Sequence, residues 1–158
     1  MKNKIIYLGL LIVGMFLSIN NVEAATSLTV TADRKSLVIG NTVNVTVRYY
    51  SSNLLAQAYG NVTYDSSVLQ LVSGNLSINY FASDSPSTTK TYNYTFRAKG
   101  SGTTKISVNG AQIYELNSSS TKAITPPQTV SYVTVISQQQ LESTYSKNNY
   151  LKSLSVDG

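Results

Sequence analysis

The chain has 158 residues and a net charge of +5, with only 12% charged residues, about half the usual share. It contains 0 Cys and 0 His, which excludes a disulfide framework, a thiol nucleophile and the commonest general base. Apolar residues make up 42% of the chain in periodic runs, so it folds, and its length suits one domain with a sizeable core plus ends. Ser, Thr, Asn and Gln supply the polar surface, with 12 Tyr and 0 Trp, a composition that fits an extracellular β-protein. The basic residues are scattered, so the positive balance reads as solubility, and no nucleic-acid partner is expected.

Residues 1–24 have the layout of a secretory signal peptide. Lys2 and Lys4 open it, an apolar run follows over residues 5–19, and Val22-Glu23-Ala24 places small residues at a cleavage site before Ala25. Cleavage removes Lys2, Lys4 and Glu23 and leaves +4. This segment is the chain's expected contact with a membrane. Residues 27–32 alternate Leu28, Val30 and Ala32 against Thr29 and Thr31. Residues 33–36 form a polar break, residues 37–39 a short apolar step, and Gly40-Asn41 a turn. Residues 42–50 are the cleanest strand, with Val43, Val45, Val47 and Tyr49 on one parity and Asn44, Thr46, Arg48 and Tyr50 on the other.

A strand–turn–strand unit over residues 55–74 organises the chain. Ala58, Val62 and Tyr64 share one parity, Asn61 and Thr63 the other, and Asp65-Ser66-Ser67 supplies side-chain oxygens for a turn. Leu69 and Leu71 resume the alternation, and Ser73-Gly74 closes the unit. A weaker strand over residues 75–81 leads to a loop at residues 82–87. Residues 91–99 alternate Tyr92, Tyr94, Phe96 and Ala98 against Asn93, Thr95, Arg97 and Lys99. Ile106 and Val108 point inward from a strand over residues 103–108, Asn109-Gly110 reads as a hairpin turn, and residues 111–116 form another short strand. A polar loop over residues 117–122 and Pro126-Pro127 precede a last strand at residues 129–136, apolar on both parities and therefore expected deep in the core.

Eight or nine short strands with regular turn signals predict an all-β sandwich over residues 25–137. Residues 138–146 read as a polar linker with room for one or two helical turns. Residues 147–158 resume an apolar pattern at Leu151, Leu154 and Val156 and read as the truncated start of a second β-sandwich repeat.

The residues over 27–136 resemble the cohesin domain, the secreted module by which cellulosome scaffoldins hold dockerin-bearing enzymes. The likeness rests on an ordered set: the step into Gly40-Asn41 before Val43–Val47, the Tyr64-Asp65-Ser66-Ser67-Val68-Leu69-Gln70-Leu71 corner, the Phe81-Ala82-Ser83-Asp84-Ser85 loop, Gly102 to Val108, and Gln128 to Val135. It implies a nine-stranded jelly-roll sandwich related to carbohydrate-binding modules. The stretch from Tyr150 to Gly158 is similar to the opening of bacterial cadherin-like β-sandwich repeats.

In cohesins an amide and an acid on the strand before the corner help to bind the dockerin. Gln57 and Tyr59 correspond by spacing, so the amide is kept and Tyr replaces the acid. Gln57, Tyr59, Asn61 and Thr63 share one parity, which places a partner-binding face there with Tyr59 as its anchor. Arg97 and Lys99 are expected to extend that face and make it mildly basic. Tyr64 and Asp65 are expected to be a structural turn.

Catalysis is not expected. Outside residues 1–24 the acids are Asp33, Asp65, Asp84, Glu115, Glu142 and Asp157, each isolated in sequence, and neither a carboxylate pair nor a metal or cofactor cluster is visible. The expected function is a secreted or bacterial cell-surface, non-catalytic module that holds a dockerin-like domain or another extracellular protein in a scaffold or adhesin. Two alternatives remain open: a structural stalk, or a carbohydrate-binding module for polysaccharide, which requires Tyr49, Tyr50, Tyr59 and Tyr80 to converge.

Overall fold

In a computed structural model, described over residues 25–83, 86–116 and 123–156, the alternating runs form eight strands and the tail forms a helix. The expected leader over residues 1–24 and the polar loop over residues 117–122 lie outside the described residues. In chain order the elements are β1 (Thr26–Ala32), β2 (Ser36–Val38), β3 (Thr42–Thr63), β4 (Leu69–Ser73), β5 (Ser77–Phe81), β6 (Ser87–Ala98), β7 (Gly102–Glu115), β8 (Ser131–Ile136) and α1 (Gln138–Val156).

The 22-residue strand β3 is the spine of the sandwich. Its first half pairs antiparallel with β1 on one edge and β6 on the other, and β4 adds to β6. Its second half pairs with β5 and β7; β8 adds to β7, and β2 joins β8 in parallel. One long strand thus serves both layers. The inward side chains of the first half are odd-numbered: Val43, Val45, Val47 and Tyr49 are fully buried. In the second half they are even-numbered, Ala58 and Val62. The switch falls at Ala56, an extra residue between Leu55 and Gln57, which oppose the consecutive Glu115 and Tyr114. Such a bulge bends the strand and re-aims its side chains. The two layers close on one core, with Tyr49, Tyr94 and Phe96 its largest fully buried side chains.

The all-β sandwich stands as expected, but four local expectations are corrected. Residues 42–63 are a single strand where two were expected, and eight strands occupy the described residues, within the eight or nine that the turn signals predict. Asn109-Gly110 does not reverse the chain. Tyr59 pairs with Gln112 and Asn61 with Asn109, so β7 carries one extra residue, and Gly110 absorbs it at φ 63°. The last strand is not buried on both sides, because only one of its faces meets the other layer: Val133 and Val135 are in the core while Tyr132 is 57% exposed. It also begins later than expected, at Ser131, because the backbone just before it is turned to β1, with the Thr129 amide donating to the Leu28 carbonyl.

The fourth correction concerns the tail. A helix covers Gln138–Val156, where a linker and an opening strand were expected. The Ser137 Oγ accepts from the Gln140 amide, and the Gln140 side chain accepts from the Ser137 amide, a reciprocal capping box. Neither Gly nor Pro interrupts the stretch. Residues 138–149 are exposed throughout.

Candidate functional site

The second half of β3 presents Gln57, Tyr59, Asn61 and Thr63 on the outer face of its layer, opposite in parity to buried Ala58 and Val62. Tyr59 sits at the centre. Its hydroxyl donates to Gln57 Oε1 at 2.8 Å. Its ring meets Phe81 of β5 and Tyr114 of β7 edge to face, with centroids 5.6 and 6.2 Å away. These are favourable aromatic geometries, and they make a row of three rings across three strands. Phe81 is 55% exposed, an apolar ring left in solvent. Around the row stand Asn79 and Gln112, directly opposite Tyr59, and Asn61 and Asn109, opposite each other. Thr63 Oγ1 donates to the Ser107 carbonyl at 3.2 Å.

The core holds this face from beneath. Tyr49, on the first half of β3, reaches through the sandwich and donates its hydroxyl to the Tyr59 carbonyl at 2.8 Å. Gly60 makes room for it. A Cβ at that position would overlap Val108 Cγ1 and stand 2.7 Å from the Tyr49 oxygen. Nothing in the alternation at residues 42–50 distinguishes Tyr49 from the valines beside it. A glycine next to Tyr59, at an inward position, was the available signal.

Arg97 and Lys99 do not join the Tyr59 face. β6 pairs along the first half of β3, and Arg97 lies opposite Thr42 and Gln70 on the outside of the other layer. Lys99 follows β6, and its ammonium donates to the Ser66 carbonyl at 3.4 Å. The expected basic extension is therefore corrected: the face is aromatic and amide-rich, with Lys105, further along the exposed row of β7, as its nearest cation in that row.

At the corner, Asp65 Oδ1 accepts from the Ser67 amide at 2.8 Å and the Ser67 hydroxyl at 2.6 Å. These bonds, the hydroxyl's first, hold its carboxyl below the ordinary value. The Asp65 amide donates to buried Thr104, and its carbonyl accepts from Val68 and Leu69. Tyr64 packs its ring on Phe96 at 4.8 Å. Both residues are committed to the turn and the core edge.

The four tyrosines that a sugar platform needed are dispersed. Tyr49 is in the core, Tyr50 stands on the outside of the first layer, Tyr59 on the outside of the second, and Tyr80 is half-buried under Lys90, whose ammonium is 4.7 Å from the ring centre. Their convergence is overturned. Among the described residues, no group of three or more His, Cys, Asp or Glu gathers. No helix among them is long and apolar enough to cross a membrane.

No protein-family model matches the chain, and no curated protein matches it. Solved structures do. A type II cohesin from the cellulosome of Acetivibrio cellulolyticus is 14% identical, with a TM-score of 0.55, covering 69% of this chain and 95% of that one. A non-cellulosomal cohesin from the hyperthermophilic archaeon Archaeoglobus fulgidus is 13% identical at 0.56, covering 77% and 98%. A type I cohesin–dockerin complex from Clostridium thermocellum gives 11% identity at 0.57, covering 72% and 96%. At these identities the likeness is one of architecture: the chain has a cohesin-like β-sandwich fold.

Proposed function

We propose that this chain is a non-catalytic binding module that grips another protein through the outer face of β5, the second half of β3 and β7. The observation that carries this reading is the Phe81–Tyr59–Tyr114 row, braced by Gln57 and pinned from the core by Tyr49. Partly exposed aromatics fixed among amides are the composition of interface centres. A dockerin-like domain is the leading occupant, because the solved neighbours include cohesins in complex with dockerins. Another extracellular protein is the second. With Tyr59 at the position where an acid is expected, this face contacts its partner through rings and amides in place of charge. The leader-like residues 1–24 support export, and with it a place in a surface scaffold or adhesin of a bacterium.

The test is calorimetric titration of the chain with a panel of dockerins, followed by Tyr59→Ala. A central aromatic anchor is worth about 1–3 kcal/mol, so Tyr59→Ala should weaken binding by that amount with little change in melting temperature. Unchanged affinity removes Tyr59 as the anchor. If no dockerin binds and no secreted protein is captured, a structural stalk is the better account.

A further inference from the structure

The outside of the first layer differs chemically from the Tyr59 face. Between β1 and the first half of β3, Ser27, Thr29, Arg48 and Tyr50 line an open recess of about 230 Å³. The register makes it a square: Ser27 lies directly opposite Tyr50, and Thr29 opposite Arg48. Such pairs project to one face. The Arg48 guanidinium carbon is 6.0 Å from the centre of the Tyr50 ring, and its Nη2 donates to Thr89 Oγ1 at 3.4 Å. Among the described residues, no carboxylate lies within ion-pair distance of Arg48. Beyond the recess the same face continues in hydroxyls and amides, with Thr46 donating to Asn93 and Thr95 to Asn44.

We propose that this recess binds the acidic sugar unit of a uronic-acid-containing polysaccharide. The guanidinium offers a planar fork of donors that matches a carboxylate, and no carboxylate among the described residues neutralises it. The Tyr50 ring supplies an apolar platform beside it for the C–H face of a sugar. Ser27, Thr29 and Thr89 offer hydroxyls that can both donate and accept. The recess is smaller than the ~300–1,000 Å³ of sites for drug-sized ligands, so it takes one ring, with the chain's remaining units lying along the hydroxyl rows. An acidic peptide is the competing ligand, but β1, residues 42–53 of β3 and β6 carry no large exposed apolar side chain to anchor one beside the recess. This site is on the opposite layer from Tyr59 and stands or falls separately from the protein-binding face.

The experiment is titration of the full chain with tetragalacturonate at low salt, followed by calorimetry and amide chemical shifts. Cellotetraose serves as the neutral control and poly-glutamate as the acidic peptide. Tetragalacturonate should bind, shift residues 27–29 and 48–50, and weaken as salt is added, while cellotetraose should not bind. Arg48→Gln should weaken binding by about ten- to a hundredfold, the range for losing hydrogen bonds to a charged group. Arg48→Lys should not restore it, Tyr50→Ala should weaken it severalfold, and Tyr59→Ala should leave it unchanged. Arg48 is exposed, and an unchanged melting temperature for each variant shows that the fold is intact. No binding of tetragalacturonate, equal binding by Arg48→Gln, or equal binding of cellotetraose overturns the proposal. Equal Arg48-dependent binding of poly-glutamate overturns it in favour of an acidic peptide.

Discussion

Val45 and Thr46 are neighbours in the chain with opposite surroundings. Val45 is fully buried, and Thr46 is half-exposed with its hydroxyl on Asn93. Val45→Asp places an unpaired charge in the core and should destabilise by about 3 kcal/mol or more in a denaturant titration. Thr46→Asp should cost less than about 1 kcal/mol. Equal losses would mean that the strand faces the other way. Gly60 poses a sharper question, because it serves the core and the candidate face together. Gly60→Ala forces a Cβ against Val108 and the Tyr49 hydroxyl, and overpacking of this kind costs about 1–3 kcal/mol. It should also shift the Tyr59 backbone. The expected result is a lower midpoint together with altered amide shifts at residues 57–61, and a wild-type spectrum there would separate Tyr49 from the positioning of Tyr59.

At the scale of elements, β3 and α1 show opposite relations between local sequence and context. β3 holds its course through both layers because strands flank it on both edges along most of its length. The bulge at Ala56 lets one continuous strand bury odd-numbered residues first and even-numbered residues later. α1 is exposed over residues 138–149 and depends on its own capping. A capping residue is worth about 1 kcal/mol of helix stability. Ser137→Ala should therefore reduce the helical signal in far-ultraviolet circular dichroism and leave the unfolding midpoint of the sandwich where it was. A matching drop in that midpoint would show that α1 supports the sandwich.

The whole molecule lacks His and Cys, so no side chain ordinarily titrates between about pH 6 and 8, and stability should be flat there. The alkaline side is different. Burial raises the Tyr94 hydroxyl from its ordinary 10.0 to about 12, and burial likewise raises Tyr49 and Tyr92. Above about pH 10 the unfolded chain loses these protons while the native state keeps them. The unfolded state then binds fewer protons, and stability must fall as pH rises. Melting temperatures should hold to about pH 9 and decline through pH 10 to 12. A decline already under way between pH 7 and 9 would contradict this assignment. On the acid side, Asp65 is lowered from 3.8 by its Ser67 bonds, so its contribution is present above that value and is lost as pH falls through the folded value. Its exposure keeps the effect small.

Strand parity was legible in the sequence, because a half-buried strand writes its environment residue by residue. Val43, Val45, Val47, Tyr94 and Phe96 are inward as their alternation requires. The Asp65 corner was also legible, since its bonds run within two residues. Even α1 had a local signature: Ser137 and Gln140 have capping spacing, and Leu151 and Leu154 are three apart, a helical interval. Apolar recurrence alone points to a strand. What only the tertiary structure decided was partnership. Parity says which way a side chain points relative to its own strand, but not which layer that strand joins. The long-range pairing of β6 with the first half of β3 removed Arg97 from the Tyr59 face and sent Tyr50 and Tyr59 to opposite sides. That pairing depends on contacts between residues tens of positions apart and on a one-residue bulge at Ala56, which reverses every side chain beyond it. Local sequence does not encode either one.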